Sequence, residues 1–231
     1  MKILLLGEYS GVHNNLRKVL VDHNYSVLLV NSGDGSKSLY ADTYIKYEYI
    51  SSKNSKIDKM LKLYYLILTY SGFKGVLQIF RYYKDVKNMK GYDVVQLINP
   101  LFLSDYGHIV NLLIFLYLKN NNNKIFLSAL GDDYYWVKYC LNKNFDHSIF
   151  DRLSIKTIKS YSHPLQYIYG FLGPFSNKYM VKNVNAVIPG LYDYYEAYKH
   201  LDNCTEIVPI IMPLNDKVKK EHCGFPIKIF H

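Results

Sequence analysis

The first thirteen residues, MKILLLGEYSGVH, constrain this chain most. Ile3, Leu4, Leu5 and Leu6 form an unbroken apolar run that stops at Gly7. A run this short and this apolar suits a strand buried on both faces, as in a parallel sheet lying between helices. Gly7 and Gly11 bracket a tight turn, and Leu16, Val19 and Leu20 then fall on one side of an amphipathic segment. Strand, glycine turn and helix open a doubly wound α/β fold. In such folds ligands sit outside the carboxyl ends of the strands, against a helix N-terminus whose free amides favour anions.

The turn does not match the dinucleotide fingerprint. Gly7 and Gly11 are four apart, whereas G-x-G-x-x-G needs a glycine two residues after the first. The second apolar run, residues 26–30, ends in Asn31, where an NAD site would place a carboxylate for the ribose. The turn therefore reads as the approach to another phosphate or sugar ligand, with a plain connecting turn as the alternative.

At 231 residues the chain can bury a proper core as one large domain or two small ones. Three cysteines, Cys140, Cys204 and Cys223, with no C-x-x-C pair, argue against a disulfide framework or zinc cage and favour a reducing compartment. The opening apolar run is too short for a signal peptide. The longest lipid-like run, residues 109–118, contains Asn111 and is about half a membrane span. The expectation is a cytoplasmic protein, soluble or peripheral on the inner face of the membrane.

Charge is local. The stretch bounded by Lys53 and Lys90 holds nine Lys/Arg against Asp58 and Asp85, so it carries +7 of the net +9. With 25 tyrosines in the chain, this predicts a surface both aromatic and basic. No nucleic-acid module accompanies it, and an anionic membrane surface suits it better. A solvated helix face over the core is the alternative.

Periodicity predicts a third strand over residues 44–50, two helices across 53–90 broken at Gly72 and Gly75, and a strand over 92–98 stopped by Asn99 and Pro100. A helix capped by Ser104 or Asp105 reaches Lys119, and a strand over 124–129 runs into Gly131, Asp132 and Asp133. Residues 134–162 show only a weak pattern. Pro174 starts a helix, a short strand covers 186–188, a helix covers about 192–200, and a last short strand covers 207–211. Alternating short strands and helices give a mainly parallel, Rossmann-like doubly wound sheet over 1–215. Residues 216–221 read as a charged linker, and PIKIF, residues 226–230, as the first strand of a further domain.

Candidate chemistry lies at the carboxyl ends of these strands. They gather Gly7, Glu8, Tyr9, Ser10, Gly11 and His13; Asn99; Gly131, Asp132 and Asp133; and Gly190 and Tyr192. Each has a plainer reading: His13 as a capping or exposed residue, Asp132 or Asp133 as an N-cap, Glu8 as an exposed turn residue. Adjacent carboxylates without a third ligand make a poor metal cage, and no serine sits in a nucleophile elbow. No metal, cofactor or catalytic group is assigned.

The segments LLLGEYSGVHNNL, SGDGSKSLYAD, YDVVQLINP, KIFLSALGDDYYW and VIPGLYDYYEAY, in that order, resemble the N-terminal half of bacterial GT-B glycosyltransferases, nearest the retaining family 4 enzymes that build surface polysaccharides. The resemblance implies one of two Rossmann-like domains facing across a cleft, here the acceptor-binding half. It also implies transfer of a sugar from a nucleotide-sugar donor to a saccharide or lipid-linked acceptor, with a fragment of this length inactive alone. Carried over by position, residues 7–11 would approach donor phosphates and acceptor. Gly131 and Asp133 would match the glycine and acid after the fifth strand, with Leu130 where family members often have His or Trp. A non-catalytic module for a small phosphorylated ligand is the second reading.

Overall fold

The computed structural model describes residues 1–33 and 39–211. The expected linker at 216–221 and strand at 226–230, and Asp34 and Gly35 of the loop after the second strand, lie outside the described residues. In chain order the elements are β1 (Lys2–Leu6), α1 (Val12–Asp22), β2 (Ser26–Asn31), β3 (Thr43–Tyr44), α2 (Ser55–Ser71), α3 (Tyr83–Lys87) and β4 (Val94–Leu97). There follow α4 (His108–Asn121), β5 (Lys124–Ala129), α5 (Tyr134–Leu141), α6 (Ser162–Tyr169), α7 (Gly173–Asn183), β6 (Ala186–Pro189) and α8 (Tyr192–Tyr198).

The strands form a parallel sheet in the order β3-β2-β1-β4-β5-β6, the Rossmann-like arrangement. β1 lies at its centre, and the strand order reverses beside it, between β1 and β4. Its unbroken apolar run is explained by burial on both sides. Leu4 and Leu6 point into the larger core with Val95, Leu97, Leu127 and Phe115. Ile3 and Leu5 point the other way, onto Leu16 and Leu20 of α1 and Leu29 of β2. The period-two alternation of a strand puts both sets on one short segment.

Several boundaries differ from the sequence reading. The third strand shrinks to Thr43–Tyr44, because it pairs only with the end of β2 at the sheet edge. Tyr47 and Tyr49 instead join a ring cluster with Tyr65 and Tyr106. Residues 207–211 form no strand; Cys204 makes only an isolated bridge to Val187, and Val208 donates to the Pro189 carbonyl. The second basic helix is reduced to a 3-10 turn, Ile79–Tyr82, and the five-residue α3. Gly72 does end α2, at φ 84°, the left-handed C-cap conformation that glycine adopts freely. α4 starts at His108 rather than after Ser104 or Asp105. The cause is Asn111: its side chain accepts from Leu103 N at 2.9 Å and donates to Leu103 O and Gly107 O, pinning residues 103–107 as a turn. That also explains a polar residue inside the longest apolar run. Among the described residues no helix is long and apolar enough to cross a membrane.

Gly7 is where the chain leaves β1 against the loop after β4. It has φ 82°, and a Cβ built there would lie 2.3 Å from Ile98 Cγ2 and 2.5 Å from the Phe102 carbonyl oxygen. Gly91 shares the left-handed conformation, at φ 74°, but has nothing within 4 Å of a built Cβ. Gly7→Ala should therefore cost roughly 3 kcal/mol, combining backbone strain with overpacking, and Gly91→Ala only about 1 kcal/mol from the backbone. Urea unfolding of both variants checks the difference; equal midpoints would show that the close approach at Gly7 is not rigid.

Candidate functional site

The carboxyl ends of the parallel strands lie on one rim, and the sequence-predicted residues sit along it in three groups. The first is the β1–β2 corner. The turn from Gly7 to Gly11 uses left-handed backbone at Gly7, Ser10 and Gly11 to swing from strand to helix. Glu8 is buried, not an exposed turn residue. Its Oε2 accepts from Asn14 N at 2.7 Å and from Asn14 Nδ2 at 2.6 Å. The free amide end of α1 is thus already occupied by a carboxylate of its own loop, which satisfies the helix dipole and disfavours a second anion there.

His13 is also fully buried, contrary to a capping or exposed role. Its Nδ1 lies 2.7 Å from the Gly7 carbonyl oxygen. A carbonyl only accepts, so Nδ1 carries the proton and Nε2 presents a bare lone pair. Burial lowers the His13 pKa to about 4, opposed by the Gly7 bond, so the ring is neutral at pH 7 and acts as an acceptor rather than a cation.

Five buried side-chain polar atoms have no hydrogen-bond partner among the described residues, and three belong to this corner: Glu8 Oε1, His13 Nε2 and Asn31 Nδ2. Buried polar groups are nearly always satisfied, so such a concentration marks a place where a ligand or water completes the bonding. Asn31 was not singled out as a ligand contact from the sequence, although the rule of strand carboxyl ends reaches it. Its Oδ1 accepts from Gly33 N at 2.7 Å, which turns the amide nitrogen away as the unpaired donor.

The second group is the middle of the rim, and it is built as scaffold. Asn99 is fully buried. It donates to the carbonyls of Leu130 at 2.7 Å and Asp132 at 3.1 Å, and accepts from Leu101 N, so it ties the loop after β4 to the loop after β5. Tyr9 bridges from the first group: its hydroxyl reaches the Leu101 carbonyl, and its ring lies 3.0 Å from where a Cβ of Gly131 would be. Asp132 faces outward beside His163, 3.5 Å away. Asp133 is the N-cap of α5, the plainer of its two readings: Oδ1 accepts from Trp136 N at 2.9 Å, and Oδ2 from the Tyr198 hydroxyl at 2.5 Å. Complete burial pushes its pKa up to about 6 despite those bonds.

The third group is the start of α8. Tyr194 accepts from Gly131 N at 2.9 Å, holding α8 to the middle loop. A Cβ on Gly190 would meet Ile210 at 2.8 Å, where residues 208–211 close a cleft of about 170 Å³ against Val12, Leu16 and Leu130. Tyr192 is exposed. Contacts therefore run along the whole rim from Gly7 to Gly190, but unsatisfied polar chemistry is concentrated at the β1–β2 corner. Among the described residues no group of three or more His, Cys, Asp or Glu could hold a metal ion.

No protein-family model matches the chain, and no curated protein sequence does. A solved structure of a 3-alpha-hydroxysteroid dehydrogenase from Pseudomonas sp. B-0831, complexed with NADH, aligns over 82% of this chain and 70% of its own at 10% identity and a TM-score of 0.31. A likeness that weak carries no argument about activity.

The titrations have a testable consequence. His13 and His108 are both buried with pKa values lowered to about 4, chiefly by burial. The unfolded chain binds those protons first, so both histidines cost stability as pH falls from about 6.5 towards 4. Asp133 works in the opposite sense: its raised pKa favours the folded state at low pH, an advantage lost as pH rises through about 6. Asp133→Asn, which can keep the Trp136 cap, should flatten the Asp133 part of the profile between about pH 4 and 6. His13→Gln should lessen the acid loss. Urea midpoints across that range check both signs.

Proposed function

We propose that this chain is the acceptor-side domain of a GT-B glycosyltransferase, which moves a sugar from a nucleotide-sugar to a saccharide or lipid-linked acceptor. The observation that carries the reading is the polar set at the β1–β2 corner. Two enclosed acceptors, Glu8 Oε1 and His13 Nε2, and one donor, Asn31 Nδ2, suit the hydroxyls of a neutral polyol. They form no cationic cradle. The expectation that the Gly7–Gly11 loop receives donor phosphates is correspondingly weakened, because Glu8 already fills the helix end. The same carboxylate disfavours the second reading, a module for a small phosphorylated ligand.

In this reading the corner orients the acceptor. Glycosyl transfer gains from holding an attacking hydroxyl in line, and from neutralising leaving-group charge in a water-poor site. With Nδ1 donating to Gly7, His13 can accept from an acceptor hydroxyl through Nε2. In this reading it serves to position that hydroxyl. The orphan atoms are enclosed, so acceptor entry has to open this corner.

Calorimetric titration of the chain with neutral saccharides, inorganic phosphate and nucleotide-sugars tests the reading. Saccharides should bind in preference to phosphate. Glu8→Gln and Asn31→Ala should each weaken saccharide binding by roughly tenfold, the loss of one hydrogen bond to a charged or enclosed partner. Phosphate binding that Asn31→Ala weakens, without saccharide binding, would replace this reading with the phosphorylated-ligand module.

A further inference from the structure

The basic stretch turns out to be apolar on the outside. α2 has 17 residues and none of them is buried. Met60, Leu63, Tyr64 and Ile67, spaced i, i+3, i+4 and i+7, share one helical face and are all exposed, Met60 by 70%. Beyond Gly72 the pattern continues in Phe73, and then in Leu77, Phe80 and Tyr83. The last three are spaced three apart, in the turn before the 3-10 segment, within it and at the start of α3. Leu77 is 83% exposed and Phe80 68%. A soluble surface does not normally gather so many large apolar side chains.

The cations around them are largely uncommitted. Lys62 pairs with Asp58, Arg81 with Glu48, Lys74 packs over the rings of Tyr47 and Tyr49, and Lys87 lies over the ring of Tyr83. Lys53, Lys56, Lys59, Lys84, Lys87 and Lys90 make no ion pair with a described residue, and all six are exposed. Between α3 and α4 lies a cleft of about 470 Å³, lined mostly by apolar side chains that include Phe80, Tyr83, Val86 and Leu113. Lys87 and Lys90 also line it.

From this we propose that the α2–α3 face is a docking surface for an anionic bilayer: the lysines meet lipid head groups, Leu77 and Phe80 enter the acyl boundary, and the cleft beside α3 receives an acyl chain. Charge and apolarity are complementary to such a surface at the same residues, which is how interfacial helices bind. Each basic residue near anionic lipid adds attraction that salt screens. A nucleic acid would use the lysines but leave the exposed apolar row in water. The proposal does not rest on the reading of the β1–β2 corner.

The test is cosedimentation of the 231-residue chain with vesicles of phosphatidylglycerol mixed into phosphatidylcholine, against phosphatidylcholine alone. Binding to the anionic vesicles should be about tenfold tighter or more, and should weaken as salt is raised. The triple variant K84E/K87E/K90E should lose that preference. In Leu77→Trp, fluorescence should be quenched by brominated acyl chains more than in the unaltered protein, whose only tryptophan, Trp136, is on α5. Both variants change exposed side chains, and unchanged circular dichroism checks their folding. Equal or absent binding to the two vesicles, no added quenching at position 77, or tighter binding of a single-stranded oligonucleotide than of vesicles would overturn the proposal.

Discussion

Burial of β1 on both faces is the constraint from which the rest of this structure follows. A strand at the centre of a parallel sheet has no solvent side, so Ile3 to Leu6 must all be apolar and must be covered from two directions. Cover on one face comes from α1, which obliges the chain to reverse direction immediately after Leu6. The reversal is tight enough that Gly7 packs onto Ile98 and the Phe102 carbonyl, fixing the β1 exit against the loop after β4. This is the position at which the strand order turns over, and a doubly wound sheet opens its crevice there.

The same reversal carries the polar chemistry. Once the chain bends at Gly7, the next residue's carboxylate falls on the start of α1, and His13, the second residue of the helix, falls back on the Gly7 carbonyl. These two bonds lock the turn, and each leaves one atom unpaired. Asn31 arrives from β2 with its amide nitrogen likewise unpaired. A corner held together by a carboxylate and a neutral imidazole is a poor place for phosphate and a suitable one for hydroxyl groups.

The architecture was legible because its signals were local: a four-residue apolar run, glycines at strand exits, and Pro174 opening α7. What was not legible depended on partners distant in sequence. Residues 44–50 alternate like a strand, yet ring packing of Tyr47 and Tyr49 takes the place of a ladder. Residues 207–211 are β-rich in composition, but among the described residues they make one backbone bond, from Val208 to Pro189. At the rim, the sequence located the right loops without ranking them. Asn99 and Asp133 have the residue types of a site but are consumed in holding loops together, whereas Asn31 stood outside the candidate set. Burial separates the two cases, and periodicity does not report the burial of a loop side chain.

The central claim is that the β1–β2 corner is completed by a neutral hydroxyl-bearing ligand. Nitrogen-15 NMR of histidine-labelled protein tests it directly, because the His13 bond to Gly7 fixes the tautomer. The His13 ring should be neutral at pH 7, protonated at Nδ1 and bare at Nε2, and saccharide should shift the Nε2 resonance while inorganic phosphate leaves it unmoved. A His13 ring that is doubly protonated at pH 7, or an Nε2 signal that responds to phosphate and not to saccharide, would contradict it.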